Sequence, residues 1–145
     1  VTTAGSAEGQ RSAADRLGVT AGMAVSEIGR DDDSDSEIVD AIVERTGVEP
    51  IGEDSDDVVD MVLLWFREDD GDLVDALMDA RVRLADSGCI WVLTPKAGRD
   101  AHVEPSDILD AAPTAGLTQT STVSVSKDWT GVKLVVPKGQ RSPRR

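Results

Sequence analysis

The sequence predicts an α/β domain: a mostly parallel sheet with helices on both faces and a C-terminal antiparallel hairpin. Three observations point there. Apolar runs alternate with amphipathic segments early in the chain, the pattern of parallel strands joined by crossover helices. Val58 to Phe66 (VVDMVLLWF) is almost continuously apolar, as suits a strand covered on both faces. Late in the chain, Thr120 to Ser126 and Val132 to Val136 flank a hairpin-length turn, which implies an antiparallel pair.

Taken in order, residues 1–16 are small, polar and aperiodic and read as a disordered arm, with order starting at Leu17. Met23 to Ile28 is a first strand, ended by Gly29. Ser34 and Glu37 stand at capping-box spacing and open a helix. That helix runs to about Thr46 with Ile38, Ala41, Ile42 and Arg45 on one stripe, and Gly47 stops it. Val48 to Ile51 is at most a short edge strand, because Pro50 has no N–H for a ladder. Residues 52–57 form an acidic turn before the apolar strand. Glu68 to Asp72 opens a second helix with Leu73, Leu77, Ala80 and Leu84 along its core face. Asp86-Ser87-Gly88 closes it, and Cys89 to Leu93 is a buried strand. After a polar loop at 94–103, Pro105 starts a third helix, ended by Pro113 and Gly116. The hairpin follows, and residues 138–145 are a basic, disordered tail. Residues 17–137 thus make one domain, a size that one core can serve.

Charge narrows the partners. The chain has a net charge of −13 over 145 residues. Between Asp31 and Asp75 there are 18 acidic residues against two basic ones, Arg45 and Arg67. Such a surface repels duplex nucleic acid and anionic membranes and favours basic partners. Cys89 stands alone, which rules out an internal disulfide and fits a reducing compartment. No signal pattern or membrane-length apolar run is present, so the cytoplasm is the expected location.

Glu27-Ile28-Gly29-Arg30-Asp31-Asp32-Asp33 occupies the first strand-to-helix junction. It resembles the E-x-G-x-G-x-G segment of S-adenosylmethionine-dependent methyltransferases. Glu27 and Gly29 match; Asp31 and Asp33 stand where that family has its second and third glycines. Leu84 to Val92 resembles the stretch before that fold's fifth strand. More closely, the chain resembles a largely actinobacterial family of small domains of unknown function with a shortened methyltransferase-like, Rossmann-like core. Leu17 to Met23, Trp91 to Lys96 and Asp128 to Gly131 carry that likeness. The resemblance implies the fold and no established activity. Glycines in such a loop let the backbone approach a ligand. Asp31 and Asp33 pointing inward would obstruct the standard pose, so S-adenosylmethionine is disfavoured as a cofactor.

Ligands of open α/β sheets lie beyond the carboxyl ends of the strands. Gly29, Arg30, Arg67, Lys96, Arg99 and His102 all fall there. Either they form an anion pocket, or Arg30 and Arg67 pair with neighbouring aspartates. The Asp31 to Glu37 run departs from a calcium loop at Ser36 and Ile42. Trp65 and Trp91 read as core, whereas Trp129 fits either the core or an exposed partner surface. The expected function is therefore a non-catalytic interaction or regulatory domain, binding a protein partner or small anionic ligand at this edge. The alternative is an enzyme: a divergent S-adenosylmethionine-dependent methyltransferase, or another acting on a small molecule.

Overall fold

A computed structural model describes residues 13–52 and 57–137. The predicted tail at 138–145, most of the N-terminal arm and the centre of the acidic turn lie outside the described residues. Nine elements follow in chain order: α1 (Ala13–Leu17), β1 (Val25–Ile28), α2 (Ser36–Thr46), β2 (Val59–Trp65), α3 (Leu73–Val82), β3 (Leu84–Pro95), α4 (Pro105–Thr114), β4 (Thr118–Ser124) and β5 (Trp129–Val135).

The five strands form one sheet in the order β1-β2-β3-β5-β4. The β1–β2 and β2–β3 pairings are parallel, and β5 runs antiparallel to both β3 and β4. Two apolar layers cover the faces. On one, Val62, Leu64, Ile90 and Val92 meet Leu73, Leu77 and Ala80 of α3 and Ile108 and Ala112 of α4. On the other, Met61, Leu63, Trp65 and Trp91 meet Ile38 and Ile42 of α2 and Ala14 and Leu17 of α1. Successive residues of β2 and β3 feed opposite layers, which is why neither strand shows polar alternation.

Four expectations need correction. The arm does not extend to residue 16: Ala13–Leu17 is helical, with Ala14 and Leu17 buried. Its anchor is Arg45, which donates to Val19 O and pairs with Asp15. The cap of α2 is Asp35 rather than Ser34, its Oδ1 accepting from Glu37 N at 2.9 Å. Leu84 leaves the helix, because α3 stops at Val82 and Leu84 pairs with Val59 at the start of β3. Pro113 lies inside α4 near its end instead of terminating it. Gly47 does close α2, at φ 86.

The expected strand at 48–51 contracts to a single parallel bridge, Ile51 to Ser26. Ile51 N donates to Val25 O at 2.7 Å, and Glu27 N donates to Ile51 O at 2.9 Å; Pro50 prevents extension. This bridge has a topological consequence. Ile51 lies on one flank of β1 and β2 on the other, so the chain reverses direction across the sheet at β1. The carboxyl end of β1 is a topological switch point, where open α/β sheets carry their ligand crevice.

Candidate functional site

Gly29 ends β1 with φ 84, and a Cβ there would lie 2.5 Å from Trp65 O. Only glycine allows this close approach of the β1 loop to β2. Two residues beyond β2, Arg67 turns into the same corner and is 6% exposed. Its guanidinium grips Asp33 with two nitrogens, Nε at 3.0 Å from Oδ2 and Nη2 against Oδ1. Nη1 donates to Gly29 O at 2.7 Å and to Asp70 Oδ2 at 3.3 Å, and Nη2 donates to Ser34 Oγ at 3.1 Å. The Trp129 ring lies 5.5 Å from the guanidinium carbon, within cation–π range. Trp129 itself is core, 1% exposed and edge-on to Trp65 at 4.8 Å.

The electrostatics follow from this geometry. The hydrogen bonds from Arg67 hold the Asp33 carboxyl below its ordinary range, with partial burial working the other way and the Arg67 and Arg99 charges adding to the depression. Burial opposes the charge of Arg67, but hydrogen bonds to Asp33 and Asp70 outweigh it and raise its pKa. Ser34 is committed to this corner: its hydroxyl also accepts from Asp31 N at 2.9 Å, which leaves the helix cap to Asp35. Asp33 therefore turns toward Arg67 with its side chain still 43% exposed, while Asp31 is also exposed and accepts from Asp32 N.

The remaining predicted residues divide into separate groups. Arg30 is half exposed, 3.4 Å from Glu27 Oε1, and buried Glu27 accepts from Trp65 Nε1 at 2.8 Å. Lys96 donates to Ser124 Oγ, and Arg99 pairs with Asp128 at 3.3 Å. His102 Nδ1 lies 2.8 Å from Pro95 O, so the Nδ1–H tautomer donates to it, and Nε2 is 3.7 Å from Glu104. A cavity of about 280 Å³ at the switch point is lined by Gly29, Arg30, Asp31, Arg67, Asp70 and Ala76. Lys96, Arg99 and His102 do not line it. The six residues share the carboxyl edge without forming one pocket. The Arg67–Asp70 pair is the expected pairing with a neighbouring aspartate, whereas Arg30 pairs with Glu27; Trp129 is the member of the Arg67 site that sequence reasoning missed.

Residues 14–138 match the family described as "Protein of unknown function (DUF3052)". The chain belongs to that family. Uncharacterized proteins of Mycobacterium bovis and Mycobacterium tuberculosis are 49% identical to it over 129 residues, covering 89% of this chain and 81% of theirs. Among solved structures, the DUF3052 chain is similar to the pyocyanin biosynthetic protein PhzM, with a TM-score of 0.62 at 15% identity over 86% of this chain. It spans 53% of that protein's length. A SAM-dependent methyltransferase of Aquifex aeolicus gives a TM-score of 0.55 at 16% identity, covering 85% of this chain and 87% of the other. The CcbJ methyltransferase of Streptomyces caelestis gives 0.57 at 11%, covering 90% and 95%. These likenesses are of fold. The architecture is methyltransferase-like, and among the described residues no helix is long and apolar enough to cross a membrane.

Proposed function

We propose that this DUF3052 chain is a non-catalytic interaction domain on a methyltransferase-like scaffold, with its switch-point crevice closed by its own side chains. One observation carries the reading: Arg67, almost wholly buried, is held by Asp33, Asp70, Ser34 and Gly29 O. A carboxylate takes a position where the cofactor-binding pattern has glycine, and a buried guanidinium neutralises it. The space left, about 280 Å³, lies below the roughly 300–1,000 Å³ of drug-sized ligand sites. The cations of this edge already have internal acceptors, so a small anion must compete with them. A protein partner needs no such exchange, and the net charge of −13 favours a basic one.

Calorimetric titration with S-adenosylmethionine tests the closed crevice. No saturable heat is expected. Saturable binding at micromolar concentration would overturn the reading in favour of a divergent methyltransferase, the alternative that Glu27 and Gly29 support.

A further inference from the structure

A second and larger cavity, about 470 Å³, opens at the opposite, amino-terminal end of the parallel strands. Its apolar wall includes Leu17, Met23, Met61 and Val135, and its charged groups are Asp60 and Lys133. Its volume falls within the usual range for small-molecule sites. Arg30, Arg45, Arg67 and Arg99 each meet a carboxylate, whereas the Lys133 ammonium forms no ion pair among the described residues. Asp60 lines the same cavity and accepts from Ala24 N at 3.0 Å, yet makes no ion pair with Lys133. Opposite charges thus face one cavity without neutralising each other, beside Met23 and Val135.

We infer that this cavity binds a small dipolar molecule of the free α-amino-acid class. The ligand carboxylate meets Lys133, its ammonium meets Asp60, and its side chain lies against Met23 and Val135, behind which Leu17 and Met61 are buried. A purely anionic ligand would face Asp60 and the acidic surface. A purely cationic one would face Lys133. A dipolar ligand satisfies both groups, and its apolar side chain gains from leaving water. The site is independent of the Arg67 corner.

Cys89 also lines this cavity and is the chain's single cysteine; burial raises its thiol pKa, so labelling is followed at alkaline pH, where its rate reports occupancy. The experiment measures iodoacetamide labelling of Cys89, with parallel calorimetry, in the presence of L-leucine, 4-methylpentanoate or 3-methylbutylamine. The last two are leucine without its amine and without its carboxylate. Leucine is expected to slow labelling saturably and to give a matching isotherm, with each truncated analogue about tenfold weaker or worse, as loss of a charged hydrogen-bonding group implies. Lys133→Met, at a partly exposed position, keeps the fold and weakens leucine by a similar factor. Asp60→Asn tests the ammonium partner, with thermal melting to establish that it is folded. Three results would each overturn the inference: neither protection nor heat with leucine, equal binding of all three probes, or undiminished binding by a folded Lys133→Met variant.

Discussion

At the residue scale, Gly29 and Gly47 separate two reasons for a glycine. Both are left-handed, at φ 84 and φ 86, but only Gly29 is also crowded by Trp65 O; a Cβ on Gly47 meets nothing within 4 Å. Gly47→Ala should cost about 1 kcal/mol, the penalty for the backbone conformation alone. Gly29→Ala adds a backbone clash and should cost about 2–4 kcal/mol. Urea unfolding of the two variants side by side measures the difference. Asp33 gives a second prediction. Its folded pKa is depressed, so its contribution to stability is complete above the unfolded value, about 3.9, and is lost as pH falls through the folded value. The stability difference between wild type and Asp33→Asn should be flat from pH 7 to about 5 and shrink toward pH 3. A difference that grows on acidification would show that Asp33 is not held in its charged form. The aspartate at this position was legible in the sequence. Its direction was not, because the partner it turns toward lies 34 residues away.

At the scale of elements, the sequence showed which segments become helix or strand, while several ends moved. Alternating apolar segments revealed α2, β2, α3 and β3, because amphipathic spacing and continuous apolar runs are local properties. Caps are local too, but hydroxyls and carboxylates compete for them. Ser34 and Asp35 both suit the start of α2, and tertiary demand decides: Arg67 and Asp31 N take the Ser34 hydroxyl, so Asp35 caps. Asp35→Ala should therefore cost about 1 kcal/mol through the helix terminus. Ser34→Ala leaves that cap intact and instead loosens the Arg67 corner. The two variants should differ in amide hydrogen exchange, with protection lost in the first turn of α2 for Asp35→Ala and around residues 29–33 and 67 for Ser34→Ala. The misread Leu84 has a similar cause. It continues the helical stripe of α3 by spacing, but pairing with Val59 claims it for β3, and propensity yields to the sheet.

At the scale of the whole molecule, Arg67 joins four segments that converge at the carboxyl edge of the parallel strands. It ties the β1 loop through Gly29 O, the entry to α2 through Asp33 and Ser34, the entry to α3 through Asp70, and β5 through the Trp129 ring. One helix of each layer, α2 and α3, thus begins beside one buried cation. A buried guanidinium is expensive to desolvate, and its partners offset that cost without guaranteeing a surplus. The asymmetry matters more than the sum. Removing Arg67 leaves Asp33 facing a partly buried corner with no counter-ion, and breaking such a pair typically costs about 3–5 kcal/mol. Asp33 is partly exposed, so solvent screens it and the lower end of that range applies. The prediction is that Arg67→Met destabilises the fold by about 3 kcal/mol, and that Arg67→Met combined with Asp33→Leu recovers part of this, because Asp33 is no longer left without its cation and the remaining carboxylate, Asp70, is partly exposed. Urea unfolding of the wild type, the two single variants and the double variant closes the cycle. Strictly additive single effects would show that the two side chains do not act as a unit, and the closed crevice would then lose its energetic basis. The recovered double variant also removes the charged closure while retaining Gly29 and Glu27. It is the form of this chain in which S-adenosylmethionine binding should emerge if the Arg67–Asp33 pair, rather than the rest of the scaffold, is what excludes it.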